Sequence, residues 1–186
     1  MTGPSIHEPT NKHNKHNQHD KQGAIMTLDT PQVITRDAGE HFHFLNQLAV
    51  NKVAGDDSGT MTVVEFYSPA GFAPPLHSHR YEDELVVMLE GEIDFVVGDE
   101  RTTARTGELA YLPHGVPHTF VVRSDHARYL SVTTARSRVP EFDAFVADMG
   151  TPAPTAELPE EAPVDGALVA DVARNHDIDI LGPPPA

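Results

Sequence analysis

Short segments rich in apolar and β-branched residues follow one another through the middle of the chain, each ended by a turn signal. Each segment is too short for an average helix but has the usual length of a strand. Glycine and acidic residues separate the segments, as in the loop 55–59 and the hairpin turn 98–100. Many short strands at even spacing predict an all-β sandwich or barrel. The predicted strands are Leu48–Val53, Thr60–Tyr67, Leu85–Leu89, Glu92–Val97, Thr102–Arg105, Leu109–Leu112, Thr119–Val122 and Tyr129–Thr133.

The apolar pattern changes from strand spacing to helix spacing after Pro140. Phe142, Phe145 and Met149 recur at helical spacing, which predicts a helix that covers the barrel. A second short helix is predicted over Asp165–Asn175, whose first residue is suited to cap the N-terminus. A proline-rich stretch separates the two helices, and the chain ends in a proline-rich tail that we expect to be extended or loose.

Composition divides the chain into three stretches. Residues 1–25 have almost no apolar side chains, so we expect a disordered extension or affinity tag, with Met26 as the natural first residue. The histidines of this stretch, which we exclude from the site, are His7, His13, His16 and His19. We expect residues 26–150 to form the barrel with its covering helix, and residues 151–186 to form a Pro-rich linker, a short helix and a tail.

The chain is strongly acidic: its 186 residues include 28 Asp and Glu but only 13 Lys and Arg, for a formal net charge of −15. Such a surface repels phosphate backbones, so we expect no nucleic-acid partner. An acidic proteome and a salt-adapted surface both account for this charge. No apolar run approaches the ~18 residues that span a bilayer, and no secretory signal is visible. We therefore expect a cytoplasmic protein without a membrane partner.

Two histidines separated by one residue, His77 and His79, are the strongest indication of a functional site in the chain. Side chains two residues apart on a strand face the same side, so both imidazoles can converge inside a barrel. Glu84 follows after room for a turn, and His118 lies on a later strand, just after the turn 113–117. The chain contains no Cys, and three imidazoles with one carboxylate are a ligand set for one divalent first-row metal ion. This set does not distinguish Ni, Co, Mn, Fe, Cu and Zn.

Other residues compete with these four for the site. Glu82 or Asp83 could point inward in place of Glu84, but the spacing and the apolar run that follows favour Glu84. His41 and His43 form a second pair, but no carboxylate follows at the matching distance, so we interpret them as part of a strand or loop that packs aromatic rings. The histidines without a supporting pattern are His114, His126 and His176. The large side chains that could line a cavity or fill the core are Phe66, Met88, Phe95, Tyr111, Phe120 and Tyr129.

The four ligand candidates fall into two motifs by which the chain resembles the cupin superfamily. The first motif is matched at Gly71, His77, His79, Glu84 and Gly91. The second motif is matched at Gly107, Pro113, Gly115 and His118. Its usual final Asn is replaced by Val122, a change that touches no ligand and that we interpret as a variation in packing.

The resemblance extends to single-barrel bacterial cupins grouped as quercetin 2,3-dioxygenase-like. It covers roughly residues 36–150 and returns in the short segment 180–184. It implies an antiparallel double-sheet jelly-roll barrel with one or two short C-terminal helices, and a homodimer. It also implies one divalent metal ion, bound by His77, His79, Glu84 and His118.

The same resemblance implies a metal-dependent dioxygenase that acts on a flavonol or a smaller enol or catechol compound, with dioxygen as co-substrate. A bound metal would lower the pKa of a substrate hydroxyl, and Glu84 would accept the proton as a general base. Two alternatives stay open because a fold does not fix a function. One is an isomerase, decarboxylase or lyase of a small metabolite, and the other is a non-catalytic barrel that binds a small molecule.

Overall fold

Two antiparallel sheets pack against each other in the computed structural model, which describes residue 28 and residues 30–185. The prediction for residues 1–25 lies outside the described residues. The strands are β1 (Glu40–Phe44), β2 (Gln47–Val53), β3 (Met61–Pro69), β4 (Leu76–His79), β5 (Glu82–Glu90), β6 (Glu92–Val97), β7 (Glu100–Arg105), β8 (Leu109–Leu112), β9 (His118–Val122), β10 (His126–Ala135), β11 (Thr151–Pro152) and β12 (Ile178–Gly182). The helices are α1 (Gly55–Ser58), α2 (Phe142–Met149) and α3 (Gly166–Asn175).

The order of the strands shows a jelly-roll path. One sheet has seven strands in the order β11-β1-β2-β3-β10-β5-β8, and the other has five in the order β12-β4-β9-β6-β7. From β4 to β10 the chain passes repeatedly from one sheet to the other, which is how a double-sheet jelly roll is built. The predicted all-β, antiparallel, double-sheet barrel is therefore confirmed.

Strand β5 illustrates how alternation assigns side chains to the two faces of a sheet. Glu82, Glu84, Val86 and Met88 are buried, and the positions that alternate with them are partly exposed. Successive side chains on a strand point to opposite faces, so a slip of one residue would expose the whole buried set. The turn into β6 requires Gly91, which has φ 88 and whose missing Cβ would come within 2.4 Å of the His126 carbonyl oxygen.

Aromatic side chains fill the space between the sheets. Tyr129 on β10 stacks on Phe66 of β3 with ring centroids 5.3 Å apart, and it meets Phe120 of β9 edge-on at 5.7 Å. Phe145 on α2 meets Phe44 of β1 edge-on at 5.4 Å. Such pairs contribute about 0.5–1.5 kcal/mol each beyond the area they bury. They fix α2 over the barrel, as the helical spacing of its aromatic residues predicts.

Helix α3 begins where the sequence predicts. The Asp165 carboxylate accepts hydrogen bonds from the N–H groups of Ala167 and Leu168, at 3.0 and 3.2 Å, and so caps the N-terminus. A cap of this type typically contributes about 1 kcal/mol. The helix buries Val169 and Ala173. None of the helices in the described part of the chain has the length and apolar character needed to cross a membrane.

Two segments add structure that the sequence pattern does not show. Residues 55–59, predicted as a loop, form the one-turn helix α1, closed by Gly59 with its N–H 2.7 Å from the Gly55 carbonyl oxygen. The C-terminal tail forms β12, which pairs with β4 so that Ile178 lies opposite His79. The tail therefore supports the strand that carries two of the predicted ligands.

Candidate metal centre

Three histidines meet because two strands of the five-stranded sheet pair with each other. His77 and His79 both lie on β4, and His118 on β9 pairs directly with His77. The ring centroids of His77 and His118 are 4.3 Å apart, and those of His79 and His118 are 5.5 Å apart. His79 and His118 are each only 1% exposed. The sheet therefore holds three imidazoles in one interior position.

Glu84 reaches the histidines from the opposite sheet. Its Oε2 lies 3.8 Å from His79 Nε2 and 3.5 Å from His118 Nε2. Its Oε1 accepts a hydrogen bond of 2.6 Å from the Ser131 hydroxyl of β10, which fixes the carboxylate. One ligand atom of each of the four predicted residues lies within 4.8 Å of the others. Since metal–ligand bonds are about 2.0–2.2 Å long, atoms at this spacing can share one ion.

The three neighbouring acidic residues of β5 have different environments. Asp83 points outward and accepts hydrogen bonds from the N–H and Nδ1 of His114, at 2.9 and 2.6 Å. Glu82 points inward like Glu84, but its Oε2 lies 3.9 Å from Nδ1 of His79, on the side of the ring away from Glu84. Glu84 therefore belongs to the cluster, and Glu82 lies behind one of its histidines.

Backbone carbonyl groups orient two of the imidazoles. His77 Nδ1 donates to the carbonyl oxygen of Pro75 at 2.8 Å, and His118 Nδ1 donates to that of Val116 at 2.9 Å. A carbonyl can only accept, so the proton sits on Nδ1 and the Nε2 lone pair is free to bind a metal. Hydrogen bonds of this kind fix the ring and its tautomer in metal-binding histidines.

The cluster fits a divalent cation. Nε2 of His79 and of His118 are buried and have no hydrogen-bond partner among the described residues. Buried polar atoms are nearly always satisfied, so two such nitrogens facing one carboxylate call for a positive partner. Imidazole and carboxylate are ligands that first-row divalent ions accept.

The protonation states of the cluster suit the same ion. Burial, together with the nearby His118 and His79, lowers the pKa of His77 to about 3. Burial acts to raise the pKa of Glu84, but the contacts with His118, His79 and Ser131 outweigh it and lower that pKa to about 2. At neutral pH His77 is therefore neutral and Glu84 ionised, which are the forms that bind metals.

A cavity lies against the cluster and is lined mainly by apolar and aromatic side chains. It encloses about 590 Å³ between the atoms, including the part that is open to solvent. Its polar walls beyond the cluster are Gln47 and Tyr129. The apolar lining residues are Phe44, Leu45, Phe66, Pro74, Phe120, Phe142, Phe145, Val169, Ile178 and Ile180. The C-terminal segment thus helps to close the cavity through α3 and β12.

The other histidines of the described residues lie outside the cluster. His41 and His43 alternate on β1 with the buried Phe42 and Phe44, and His43 Nε2 donates to the Glu157 carbonyl oxygen at 3.1 Å. Elsewhere His114 contacts Asp83, His126 contacts Glu90 and His176 contacts Asp148. The departure from the second motif, Val122, is 2% exposed and packs in the core.

Several residues of the site have no clear signal in the sequence. Ser131 and Glu82 contact the ligands from behind, and Gln47 faces the cavity from β2. Strand periodicity could have indicated Glu82, because it lies two residues from Glu84 and so shares its face. Among the aromatic candidates, Tyr111 is 54% exposed and is not one of the residues that line this cavity.

Comparison with known proteins supports the fold and the motif. A model of the cupin domain matches residues 63–133. Quercetin 2,3-dioxygenase of Bacillus subtilis (strain 168) is 29% identical over 104 residues, which are 55% of this chain and 31% of that protein. Germin-like protein subfamily 2 member 4 of Arabidopsis thaliana is 30% identical over 131 residues, 67% of this chain and 57% of that protein. The chain thus spans about three tenths of the length of the first relative and less than three fifths of the second.

A solved structure shows the same architecture. The crystal structure of a predicted oxalate decarboxylase from Thermotoga maritima superposes with a TM-score of 0.52, covering 56% of this chain and 100% of that one. The two sequences are 16% identical, so the likeness concerns the fold alone.

Proposed function

The chain belongs to the cupin superfamily, and from that premise we propose that it is a metal-dependent dioxygenase acting on a planar aromatic or enolic compound, such as a flavonol or a catechol. One observation carries the proposal: a cluster of three histidines and one glutamate opens onto a cavity lined largely by aromatic side chains. The finer parts of the proposal, namely substrate, dioxygen and reaction, rest on this combination and on the similarity to a quercetin 2,3-dioxygenase.

The proposed ligands are His77, His79, Glu84 and His118. When bound, a divalent ion supplies Lewis acidity, which favours loss of a proton from a coordinated hydroxyl. Glu84 is the one carboxylate among the described residues that line the cavity. Since Ser131 holds Oε1, we assign Oε2 the role of accepting the substrate proton.

Side chains of both C-terminal helices and of β12 cover part of the cavity. Phe142 and Phe145 cover it from α2, and Val169 and Ile178 cover it from the segment that follows. All four are at most 8% exposed. A dry cavity strengthens electrostatic interactions and protects reactive species from hydrolysis, which suits oxidative chemistry.

The lining favours an aromatic substrate over a small polyhydroxylated metabolite. Beyond the cluster, Gln47 and Tyr129 are the polar side chains that line the described cavity. A sugar would leave most of its hydroxyl groups without partners there, and unpaired buried polar groups are costly. An isomerase or decarboxylase of a small polar metabolite is therefore the less favoured use of this site.

Oxygen consumption tests the proposal. Chain loaded in turn with Ni, Co, Mn, Fe and Cu should consume dioxygen with quercetin or with a member of a catechol series, and His77→Ala should abolish this. His126→Ala is the matched control, because His126 is an exposed histidine that contacts Glu90 away from the cluster. Metal-loaded chain that consumes no dioxygen with any of these compounds contradicts the proposal. Turnover of oxalate or a sugar phosphate in its place would support the alternative.

A homodimer is part of the proposal. On the outer face of the seven-stranded sheet, the edge strand β8 exposes Leu109 by 58% and Tyr111 by 54%, beside the partly buried Leu85 and Val87 of β5. An apolar sheet face of this kind is a typical surface for association. Sedimentation equilibrium should give twice the chain mass, and Leu109→Glu should give the monomer. A monomeric wild-type chain contradicts this part.

A further inference from the structure

Three buried polar side chains from three neighbouring strands meet at the wall of the cavity. Gln47 lies on β2, Ser68 on β3 and Tyr129 on β10, and each is at most 3% exposed. The Ser68 hydroxyl donates to Gln47 Oε1 at 2.6 Å, and the Tyr129 hydroxyl donates to the same oxygen at 3.1 Å. We call these three residues the amide cluster. It is the second polar position of a cavity that is otherwise apolar.

The amide cluster lies at a fixed distance from the metal centre along β10. Tyr129 and Ser131 lie two residues apart on the same face of that strand, and Ser131 holds the Glu84 carboxylate. Two residues of a strand span about 7 Å. Gln47, Tyr129 and Glu84 line the same cavity. One planar molecule can therefore reach both the metal ligands and the amide cluster.

The hydrogen bonds of Gln47 leave its amide nitrogen for a ligand. Both hydroxyl groups converge on Oε1, and no hydrogen bond of Nε2 is found among the described residues. Nε2 is not one of the fully buried polar atoms that lack a partner, and Gln47 lines the cavity, so this nitrogen is accessible from the cavity. An amide carries two N–H donors, and a buried donor without an acceptor is unfavourable. The acceptor is therefore a molecule in the cavity, either water or a bound ligand that displaces it.

We propose that Gln47 determines substrate specificity by donating a hydrogen bond from Nε2 to an oxygen of the substrate at the end remote from the metal. This inference rests on the proposed function and narrows it. The substrate class is a planar compound with an ionisable hydroxyl at the metal and, across an aromatic ring, a carbonyl or ether oxygen. Polar groups placed singly in an apolar pocket orient a ligand in this way.

Ser68 and Tyr129 are positioning residues in this arrangement. By donating to Oε1 they fix the amide so that its nitrogen, not its oxygen, is available. Burial raises the pKa of the Tyr129 hydroxyl, so this group stays protonated and remains a donor at neutral pH. Phe66 stacks on the Tyr129 ring at 5.3 Å and limits its movement.

A matched pair of probes tests the inference by binding rather than by turnover. 4-Acetylcatechol and 4-ethylcatechol are similar in size and share the catechol group, but the first carries a carbonyl oxygen remote from the two hydroxyls. Their Kd values would be measured for the zinc-loaded full chain without dioxygen, because Zn²⁺ has no redox chemistry. The acetyl group also acidifies the catechol, so the quantity compared is the change in the ratio of the two Kd values between variants.

Gln47→Leu should raise the Kd of 4-acetylcatechol by about tenfold, which is the usual contribution of one hydrogen bond. It should change the Kd of 4-ethylcatechol by less than twofold. Gln47→Glu keeps an acceptor for both hydroxyls but removes the N–H donor, so it should raise the Kd of 4-acetylcatechol at least as much. Tyr129→Phe should give a smaller, selective loss. The control is Thr62→Val, which removes a buried hydroxyl that bonds Thr133 and does not line the cavity, and it should leave both Kd values unchanged.

The outcomes separate the two proposals. Equal losses for both probes, or no loss with Gln47→Glu and Tyr129→Phe, would overturn the assignment of Gln47 while catechol binding at the metal stands. Failure of the wild-type zinc-loaded chain to bind either catechol would instead overturn the proposed function, and this inference with it. If Gln47→Leu does not fold, Gln47→Glu and Tyr129→Phe decide the question.

Discussion

Two glutamates buried in the same sheet have opposite surroundings. Glu65 on β3 faces outward, where it meets Lys52 Nζ at 3.2 Å, Arg128 Nε at 2.5 Å and the Tyr67 hydroxyl at 3.0 Å. Glu84 on β5 faces inward. There the Nε2 atoms of two imidazoles, which have no hydrogen-bond partner among the described residues, lie 3.8 and 3.5 Å from its Oε2. The chain itself neutralises Glu65 with two permanent cations. For Glu84 it supplies one hydroxyl donor, that of Ser131, and leaves the positive charge to an ion.

The comparison distinguishes a structural charge network from a functional site. Both carboxylates have a pKa below the ordinary value, so the direction of the shift does not separate them. What separates the two carboxylates is whether the chain itself supplies a positively charged partner. Burying a carboxylate is costly unless it is paired, and Glu65 is fully paired by side chains of the chain. Glu84 gains a comparable partner only when a cation binds.

The largest effect is expected from breaking the Glu65 network. Glu65→Gln removes the buried counter-charge of Lys52 and leaves Arg128 with only the exposed Glu90. It should lower the free energy of unfolding by about 3–5 kcal/mol, measured by urea denaturation. Glu90→Gln is the matched control, since Glu90 also pairs with Arg128 but is 48% exposed, and it should cost no more than about 1 kcal/mol. Equal losses for the two variants would show that burial does not distinguish these pairs.

A somewhat smaller effect is expected from filling the metal centre. Zinc at a hundred times its Kd should raise the free energy of unfolding of the metal-free chain by about 2.7 kcal/mol, which shifts the melting temperature by roughly 5–10 °C. His118→Ala should remove this shift, because the cluster loses one of its ligands. His126→Ala should keep it. A shift of equal size in both variants would place the stabilising metal elsewhere.

Glu82 should influence the metal from behind His79. Both His79 Nδ1 and Glu82 Oε2 lack a hydrogen-bond partner in the described structure and lie 3.9 Å apart. Glu82→Ala should weaken metal binding by about 10–100-fold, measured by competition with a chelator, and Glu82→Gln should lose less because an amide oxygen still accepts. The neighbour Asp83 faces outward, so Asp83→Asn should have no effect. Equal affinities for Glu82→Ala and Asp83→Asn would contradict this role.

The smallest effect is expected in the pH dependence of stability. The pKa of Glu65 is lowered in the folded chain: burial opposes this shift, but Arg128, Tyr67 and Lys52 outweigh it. The unfolded chain therefore binds the proton at a higher pH than the folded chain, so the network stabilises above the ordinary pKa of 4.5 and this stability is lost as the pH falls below it. Metal-free Glu65→Gln should lose less stability than wild type between neutral pH and acid. Parallel profiles would contradict the assignment.

The sequence predicts the parts of the molecule that depend on local pattern. Strands, the two C-terminal helices and the Asp165 cap follow from spacing and composition, because these elements are set by side-chain periodicity and by orphan N–H groups. His77, His79, Glu84 and His118 follow from strand periodicity combined with two spaced motifs. In the structure one ligand atom of each of the four lies within 4.8 Å of the others.

The parts that depend on pairing of distant segments could not be predicted. β12 pairs with β4 across about a hundred residues of chain, and nothing in the sequence around Ile178 indicates its partner. The role that we propose for Gln47 depends on β3 and β10, which place two hydroxyl groups against its amide oxygen. The ion pairs of Glu65 likewise depend on where the fold places Lys52 and Arg128.

The number of metal ions bound per chain tests the central claim most directly. Equilibrium dialysis of the metal-free full chain against zinc would be compared with a variant carrying Ala at His77, His79 and His118, which keeps every histidine of residues 1–25 as an internal reference. We predict that wild type binds one ion more per chain than this variant, and that Glu84→Ala weakens this one ion. Equal binding by wild type and the variant would contradict the account, because the buried cluster would then hold no metal.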